Sequence, residues 1–157
     1  MSYADKTSVG SDRSRAEIEK TLTRYGASSF AYGWQDRSAM VGFEMEGRRV
    51  QFILPLPDRN AHEYTHTPSQ GNLRSPAHAE SAYEQAVRQK WRALSLVIKV
   101  KLEAVESGIT CFDDEFLAHI CLPNGQTVGQ WVGPQIDTAY ETCHMPKMLP
   151  IIKRISE

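Results

Sequence analysis

Hydrophobic residues near the start of the chain have the spacing of a short helix. Three of them form one helical face: Ile18, Leu22 and Tyr25. Gly26 follows as a stop signal. Ser14, with Glu17 three residues later, has the form of a capping box, so we expect the helix to begin there. The polar segment 1–12 is predicted to be a disordered tail, and residues 13–157 to form a single domain.

Three runs of alternating hydrophobic residues follow, which is the pattern of strands with one buried face. Their large apolar residues are Phe30, Tyr32 and Trp34, then Val41, Phe43 and Met45, then Val50, Phe52 and Leu54. Turn residues at 36–38 and 46–47 separate the runs, so the sequence predicts an antiparallel three-stranded meander. Pro55 and Pro57 end it, and a sheet this small needs a helix on its face.

A long helix is predicted after a polar loop. Residues 58–75 have no periodicity, which is typical of a functional or disordered loop. Ser75 then provides an N-cap, Pro76 takes the first helical position, and the helix should continue to Gly108. Its apolar residues form two stripes, one of Tyr83, Val87, Trp91, Leu94, Ile98, Leu102 and Val105, the other of Ala86, Ala93, Val97, Val100 and Ala104. Two stripes predict a central helix that is packed on both sides.

The last third of the chain has the pattern of shorter helices. One helix, capped near Thr110, should end near Ile120, and another should begin at Val128 and be kinked at Pro134. The tail MPKMLPIIKRISE is apolar but interrupted by prolines, so it should lie along the body. The predicted fold class is α+β, with an N-terminal helix, a three-stranded antiparallel meander, a long central helix packed on the sheet and short C-terminal helices.

Composition excludes several classes of protein. The formal net charge is −1, from 18 Lys and Arg against 19 Asp and Glu, so no overall field attracts nucleic acid or a membrane surface. No apolar run approaches the ~20 residues of a membrane span, and the N-terminus has no signal-peptide pattern. The three cysteines, an odd number, argue against a disulfide framework and indicate a cytoplasmic protein. Glycine-rich phosphate-binding motifs are also absent.

Charge is unevenly distributed along the chain. Residues 59–107 hold seven Lys and Arg against five Glu, a local +2, and residues 108–157 hold three against six, a local −3. The middle of the long helix carries five cations: Arg88, Lys90, Arg92, Lys99 and Lys101. Two interpretations are open. Acids of the C-terminal third neutralise these cations, or the cations form a groove for phosphates or an acidic partner.

The aromatic residues of the first strand suggest a second binding feature. Phe30, Tyr32 and Trp34, with arginines at the turns of the sheet, resemble a stacking platform for single-stranded bases. The alternative is that this face packs on the long helix around Trp91 and Leu94. The candidate nucleic-acid-binding residues from both features are Arg37, Arg48, Arg49, Arg74, Arg88, Lys90, Arg92 and Lys99.

Two clusters of potential catalytic or metal-binding residues have simpler explanations. The first is Cys111, His119, Cys121, Cys143 and His144. Its spacing matches no zinc pattern, so buried thiols are expected. The second cluster, Asp113, Asp114 and Glu115, suits Mg²⁺ or acid–base chemistry, but also the first turn of a helix, where the dipole favours acids. We therefore predict no catalytic residue, no metal and no cofactor, and an enzyme is the less favoured class.

Most of the chain resembles one family. The segments AEIEKTLTRYGASSFAYGW, WRALSLVIKVKLEAVESGI and EFLAHICLPNGQTVGQWVGPQI are similar to a family of small bacteriophage-encoded proteins. The likeness covers about residues 14–150. It implies a phage setting, and hence the cytoplasm of an infected bacterium, but no activity and no catalytic residue. Small phage proteins of this kind usually serve DNA metabolism or interfere with host machinery.

Two functions are predicted from these observations. The first is a non-catalytic nucleic-acid binder, for single-stranded DNA, that serves phage DNA replication, recombination or repair. The alternative is a protein-binding module that inhibits or redirects a host protein. No membrane partner is expected, and a homo-oligomer is compatible with either function.

Overall fold

The computed structural model describes residue 4, residues 7–35 and residues 37–145. Its elements in chain order are α1 (Ser11–Arg24), β1 (Ser29–Gln35), β2 (Ser38–Met45), β3 (Arg48–Pro55), α2 (His62–Thr65), α3 (Pro76–Glu106), α4 (Phe112–Phe116), a 3₁₀ turn (Leu117–His119) and α5 (Val128–Thr142). The predicted α+β class is confirmed, including the meander and the long central helix.

The three strands form one antiparallel sheet in the order β1-β2-β3. Phe30 lies opposite Phe43, and Phe43 opposite Val50, so the alternating apolar residues share one face. Glu46 and Gly47 connect β2 to β3 with positive φ angles of 51° and 73°. A two-residue hairpin turn needs such angles, and Gly adopts them without strain.

α3 packs against the apolar face of the sheet. The Ser75 hydroxyl accepts a hydrogen bond from the backbone N–H of His78, and Pro76 occupies the first turn, as predicted. The buried stripe of the helix is Trp91, Leu94, Ile98 and Leu102, and it joins the core residues of the sheet and of α1. The helix spans 31 residues, about 46 Å, so it extends well beyond the strands it covers.

The second apolar stripe of α3 is only partly covered by the described residues, contrary to the prediction of packing on both sides. Val97 and Val100 are 44% and 67% exposed. α1 packs along one flank of α3 through its buried residues Ile18 and Leu22. α4 lies on the other flank, where Lys101 contacts Glu115. Within the described residues, these neighbours leave the side of α3 that faces away from the sheet open.

α1 begins earlier than the capping-box pattern predicts. The helix starts at Ser11 with Gly10 as N-cap, so residues 11 and 12 of the predicted disordered tail are helical. Ser14 instead lies on the buried face of the helix with Ile18, four residues on. Its hydroxyl has no hydrogen-bond partner in the described part of the chain. Residues 1–3, 5 and 6 of the predicted tail lie outside the described residues.

The segment 58–75 contains local structure that its sequence did not indicate. α2 forms one helical turn at His62–Thr65. His66 pairs with Leu73 in an isolated bridge, and the Arg74 guanidinium donates to the His66 carbonyl at 2.9 Å. One helical turn is too short to show a period, so no pattern could reveal it.

The C-terminal elements cover the end of the sheet beside α3. Phe116 is fully buried and meets Phe43 and Phe52 edge to face, at ring-centroid distances of 5.8 and 6.4 Å. α4 is capped at Cys111 rather than at Thr110, without a side-chain hydrogen bond.

α5 begins at Val128, as predicted, and it continues through Pro134. Its N-cap is Thr127, which forms a capping box with Gln130. Residues 146–157, most of the predicted tail, lie outside the described residues. Among the helices that are described, none combines the length and apolar character needed to cross a membrane.

Candidate interaction surface at the edge of the sheet

The three arginines predicted at the turns of the sheet each lie near an acid. The N–O distances are 2.8 Å for Arg37 and Asp58, 2.9 Å for Arg48 and Asp113, and 3.8 Å for Arg49 and Glu44. Arg48 makes two parallel hydrogen bonds, because its Nε and Nη2 donate to the two carboxylate oxygens of Asp113. Such a bidentate pair uses the face of the guanidinium fork that a phosphate would need.

Two cations of α3 bind acids from other helices. Arg92 lies 2.6 Å from the carboxylate of Glu17 on α1. Lys101 donates to the carboxylate of Glu115 at 2.8 Å and to its backbone carbonyl at 3.0 Å. The prediction that acids of the C-terminal third neutralise the basic helix therefore holds for Lys101, whereas Arg92 uses an acid of the N-terminal helix.

Two other predicted binding residues, Arg88 and Arg74, form hydrogen bonds with residues of their own segments. The Arg88 guanidinium donates to the side-chain oxygen of Gln85 at 3.1 and 2.7 Å, and it lies 3.8 Å from Glu84. Arg74 donates to the carbonyl of His66. Both arginines are partly buried, so they are less available to a ligand than the sequence suggests.

Lys90 and Lys99 are exposed and have no hydrogen-bond or ion-pair partner among the described residues. They are nine residues apart on α3, which is about two and a half helical turns. Their side chains therefore leave opposite sides of the helix. The structure does not bring the predicted cations together into one basic groove.

The aromatic strand β1 is less covered than the packing alternative predicts. Trp34 is 75% exposed and Tyr32 is 47% exposed, whereas Phe30 is partly buried. Neighbouring rings are 6.3 and 6.5 Å apart along the strand. Tyr32 meets Trp91 of α3 edge to face at 6.4 Å. The alternative of packing on α3 thus applies to Tyr32 but not to Trp34.

Arg15 of α1 contacts both the sheet and α3, a role that was not predicted from the sequence. Its guanidinium is 5.2 Å from the ring centroid of Tyr32 and 5.1 Å from that of Trp91, distances typical of cation–π contacts. It also bonds to Asp12. The ring partners of Arg15 are 17 and 76 positions away in the sequence, so no local pattern could indicate them.

The face of the sheet that points away from α3 has a shallow open depression next to β1. Small residues of β1 and β2, among them Ala31, Gly33 and Gly42, lie at its floor, and Met40 and Gln51 help to line it. Its volume is about 440 Å³. The depression is open because these side chains are too small to fill the surface.

The two edges of the sheet differ. On β3, the backbone N–H of Cys121 donates to the Arg49 carbonyl at 2.8 Å, and Val50 pairs with Ile120 in an isolated bridge. On β1, no strand other than β2 is paired within the described ranges. Among the described residues, β1 is therefore an open edge, with Tyr32 and Trp34 on one of its faces and the depression on the other.

The cysteine and histidine residues do not assemble into a metal site in the described part of the chain. Cys111 and Cys143 are exposed, contrary to the expectation of buried thiols. Burial raises the pKa of the partly buried Cys121 thiol. His119 stacks on Phe52 at a centroid distance of 4.0 Å, and burial, with a smaller effect of the Lys101 charge, lowers the pKa of its ring.

The three adjacent acids lie in the first turn of α4. Asp113 binds Arg48 and Glu115 binds Lys101, so two of the three are already paired with cations. The helix dipole favours all three at this position. This arrangement supports the structural explanation for the cluster.

Comparison with known proteins adds no further constraint: no protein-family model matches the chain, and no curated protein and no solved structure is significantly similar to it. The likeness to small phage proteins stays a prediction. Function is therefore inferred from the geometry of the described residues.

Proposed function

We propose that the protein is a non-catalytic protein-binding module, which binds an extended segment of another polypeptide along β1. One observation carries the proposal. In the part of the chain that the structure describes, β1 is an open sheet edge of seven residues, SFAYGWQ, and it presents the 75% exposed Trp34. This is the second of the two functions predicted from the sequence, without its assignment to a particular host protein.

An open edge strand exposes backbone N–H and C=O groups that a further strand can pair with. Proteins usually protect such edges with lysine, proline, a bulge or a covering segment. The segment SFAYGWQ has no charged residue and no proline, and its register with β2 runs without interruption from Ser29 to Gln35. An unprotected edge of this kind supports a role in strand addition.

The two faces of β1 provide different contacts for the side chains of an added strand. On the core side, Trp34 and Tyr32 offer large aromatic surfaces, of the kind that dominates binding energy at protein interfaces. On the other side, the depression over Gly33 and Gly42 leaves space for a larger side chain. We expect the partner strand to alternate accordingly, because successive side chains point to opposite faces.

Affinity capture with matched variants tests this proposal. Trp34→Ala should remove the specifically bound proteins, whereas Ile109→Ala, a substitution at a residue that is 82% exposed in the turn after α3, should not. Capture should survive nuclease treatment and raised salt. Hydrogen exchange of residues 29–35 should slow in the purified complex. Equal capture by both variants, or a loss of capture after nuclease treatment, would contradict the proposal.

Single-stranded nucleic acid is the second candidate ligand, and the same aromatic pair favours it. The Tyr32 and Trp34 rings lie 6.5 Å apart in residues that are 47% and 75% exposed, and the Arg15 guanidinium lies 5.2 Å from the centroid of the Tyr32 ring. Bases stack on such rings without sequence preference. Titration with a labelled single-stranded oligonucleotide at low salt distinguishes this candidate. Binding that is lost in Trp34→Ala and has a log–log salt slope of about −0.7 per neutralised phosphate would favour it.

A further inference from the structure

We propose that β1 pairs with β1 of a second copy of the chain, antiparallel and about a two-fold axis at Tyr32. This inference rests on the proposed function and names the partner strand. It would join two three-stranded sheets into one six-stranded sheet.

β1 is self-complementary in this register. An antiparallel pair centred on Tyr32 places Phe30 opposite the partner's Trp34, and Tyr32 opposite the partner's Tyr32. These positions lie on the same face of the sheet, because they alternate along the strand. Aromatic pairs directly across two strands are among the favourable ones. The exposed surface of Trp34 would thus be covered by an aromatic side chain rather than by water.

The opposite face of β1 fits the same arrangement. Ala31 would lie opposite the partner's Gly33, and Ser29 opposite the partner's Gln35. These residues are small or neutral, so the symmetric pairing places no like charges opposite each other. β3 could not pair in this way, because it begins with Arg48 and Arg49 and residues 120 and 121 bond to it. Symmetric pairing is therefore favoured at β1.

The area available indicates a weak dimer. A covered aromatic side chain buries about 150–250 Å², so the exposed parts of Trp34 and Tyr32 together give roughly 200–300 Å² per subunit. The backbone edge and the remaining side chains of β1 add to this. A standard stable interface buries about 800 Å² per partner. The dimer should therefore form at micromolar or higher protein concentration.

Charge substitutions at the two ends of the strand test both the dimer and its register. Ser29 and Gln35 are exposed and would lie opposite each other across the two-fold axis. The double variant S29K/Q35K places like charges in both of these pairs. The matched variant S29K/Q35E carries the same first substitution but places opposite charges there. Sedimentation equilibrium measures the dissociation constant of each, and thermal melting checks that both are folded.

The wild-type chain is expected to dimerise, and S29K/Q35K to dimerise roughly two- to thirtyfold more weakly. S29K/Q35E should dimerise at least as tightly as the wild type. A dimer equally stable in both variants would overturn the inference, because another surface would then be responsible. A wild-type monomer at high concentration would also overturn it. If the wild type is monomeric but affinity capture of other proteins is still lost in Trp34→Ala, the proposed function stands without the dimer. If capture no longer depends on Trp34, both the dimer and the proposed function are refuted.

Discussion

The Arg92→Gln substitution tests whether Arg92, a cation in the middle of α3, stabilises the fold through its ion pair with Glu17. Its guanidinium lies 2.6 Å from the Glu17 carboxylate, and the two side chains are only 23% and 35% exposed. Arg92→Gln would leave the Glu17 carboxylate partly buried without its cation. Gln is nearly as good a helix former as Arg, so the substitution affects the ion pair rather than the helix.

The size of the effect follows from the degree of burial. Exposed ion pairs contribute 0 to about 1 kcal/mol, whereas removal of one partner of a fully buried pair costs about 3–5 kcal/mol. The Arg92–Glu17 pair lies between these cases, because its side chains are 23% and 35% exposed and solvent still screens their attraction. We therefore expect Arg92→Gln to lower the free energy of unfolding by about 1 kcal/mol.

Urea unfolding gives the measurement, and Lys99→Gln is the matched control. Lys99 is an exposed cation of the same helix without a partner in the described residues, so its substitution should change stability by less than about 0.5 kcal/mol. In a double-mutant cycle, Arg92→Gln and Glu17→Gln together should lower the free energy of unfolding by less than the sum of their separate effects, because each substitution alone already removes the ion pair. The reasoning is refuted if Arg92→Gln has no larger effect than Lys99→Gln, or if it weakens oligonucleotide binding while stability is unchanged.

Three further predictions concern the core, a histidine and a helix cap. Phe116→Ala should lower the free energy of unfolding by about 3–5 kcal/mol in urea titrations, and Leu117→Ala, at a half-exposed neighbour, much less. Because the pKa of His119 is lowered in the folded state, the unfolded chain takes up the proton first, and stability should fall as the pH drops below about 6.5. Thermal melts should show less of this fall in His119→Gln; an equal fall would contradict it. Thr127→Ala should cost about 1 kcal/mol by loss of the capping box, whereas Thr138→Ala, at an exposed hydroxyl, should be nearly neutral; equal effects would contradict this.

Local signals predicted the elements of the fold because the physics behind them is local. Ser75 and Pro76 start α3, and Gly108, with a φ of 72°, follows its C-terminal end. The alternation of β1 to β3 identified the buried face of the sheet. The capping-box pattern at Ser14 failed because a serine and a glutamate three residues apart also occur within a helix. There, Ser14 packs on the buried face.

The candidate site was harder to predict, because its properties depend on distant contacts. Arg92 and Glu17 are 75 positions apart, and Arg48 and Asp113 are 65 apart. The sequence shows both charges but not that they meet, so it overstated the cations available to a ligand. The alternation of β1 likewise places Trp34 on the core face, but it cannot show that β1 is the open edge of the sheet.

Hydrogen exchange of residues 29–35, followed as protein concentration rises, tests the central claim that β1 is an open binding edge. The β3 segment 48–55, whose edge is bonded to residues 120 and 121, serves as the internal reference. At low concentration, β1 should exchange faster than β3, and self-association or a captured partner should slow exchange in β1 selectively. Strong protection of β1 in the dilute, isolated chain would contradict the claim, because the edge would then already be covered.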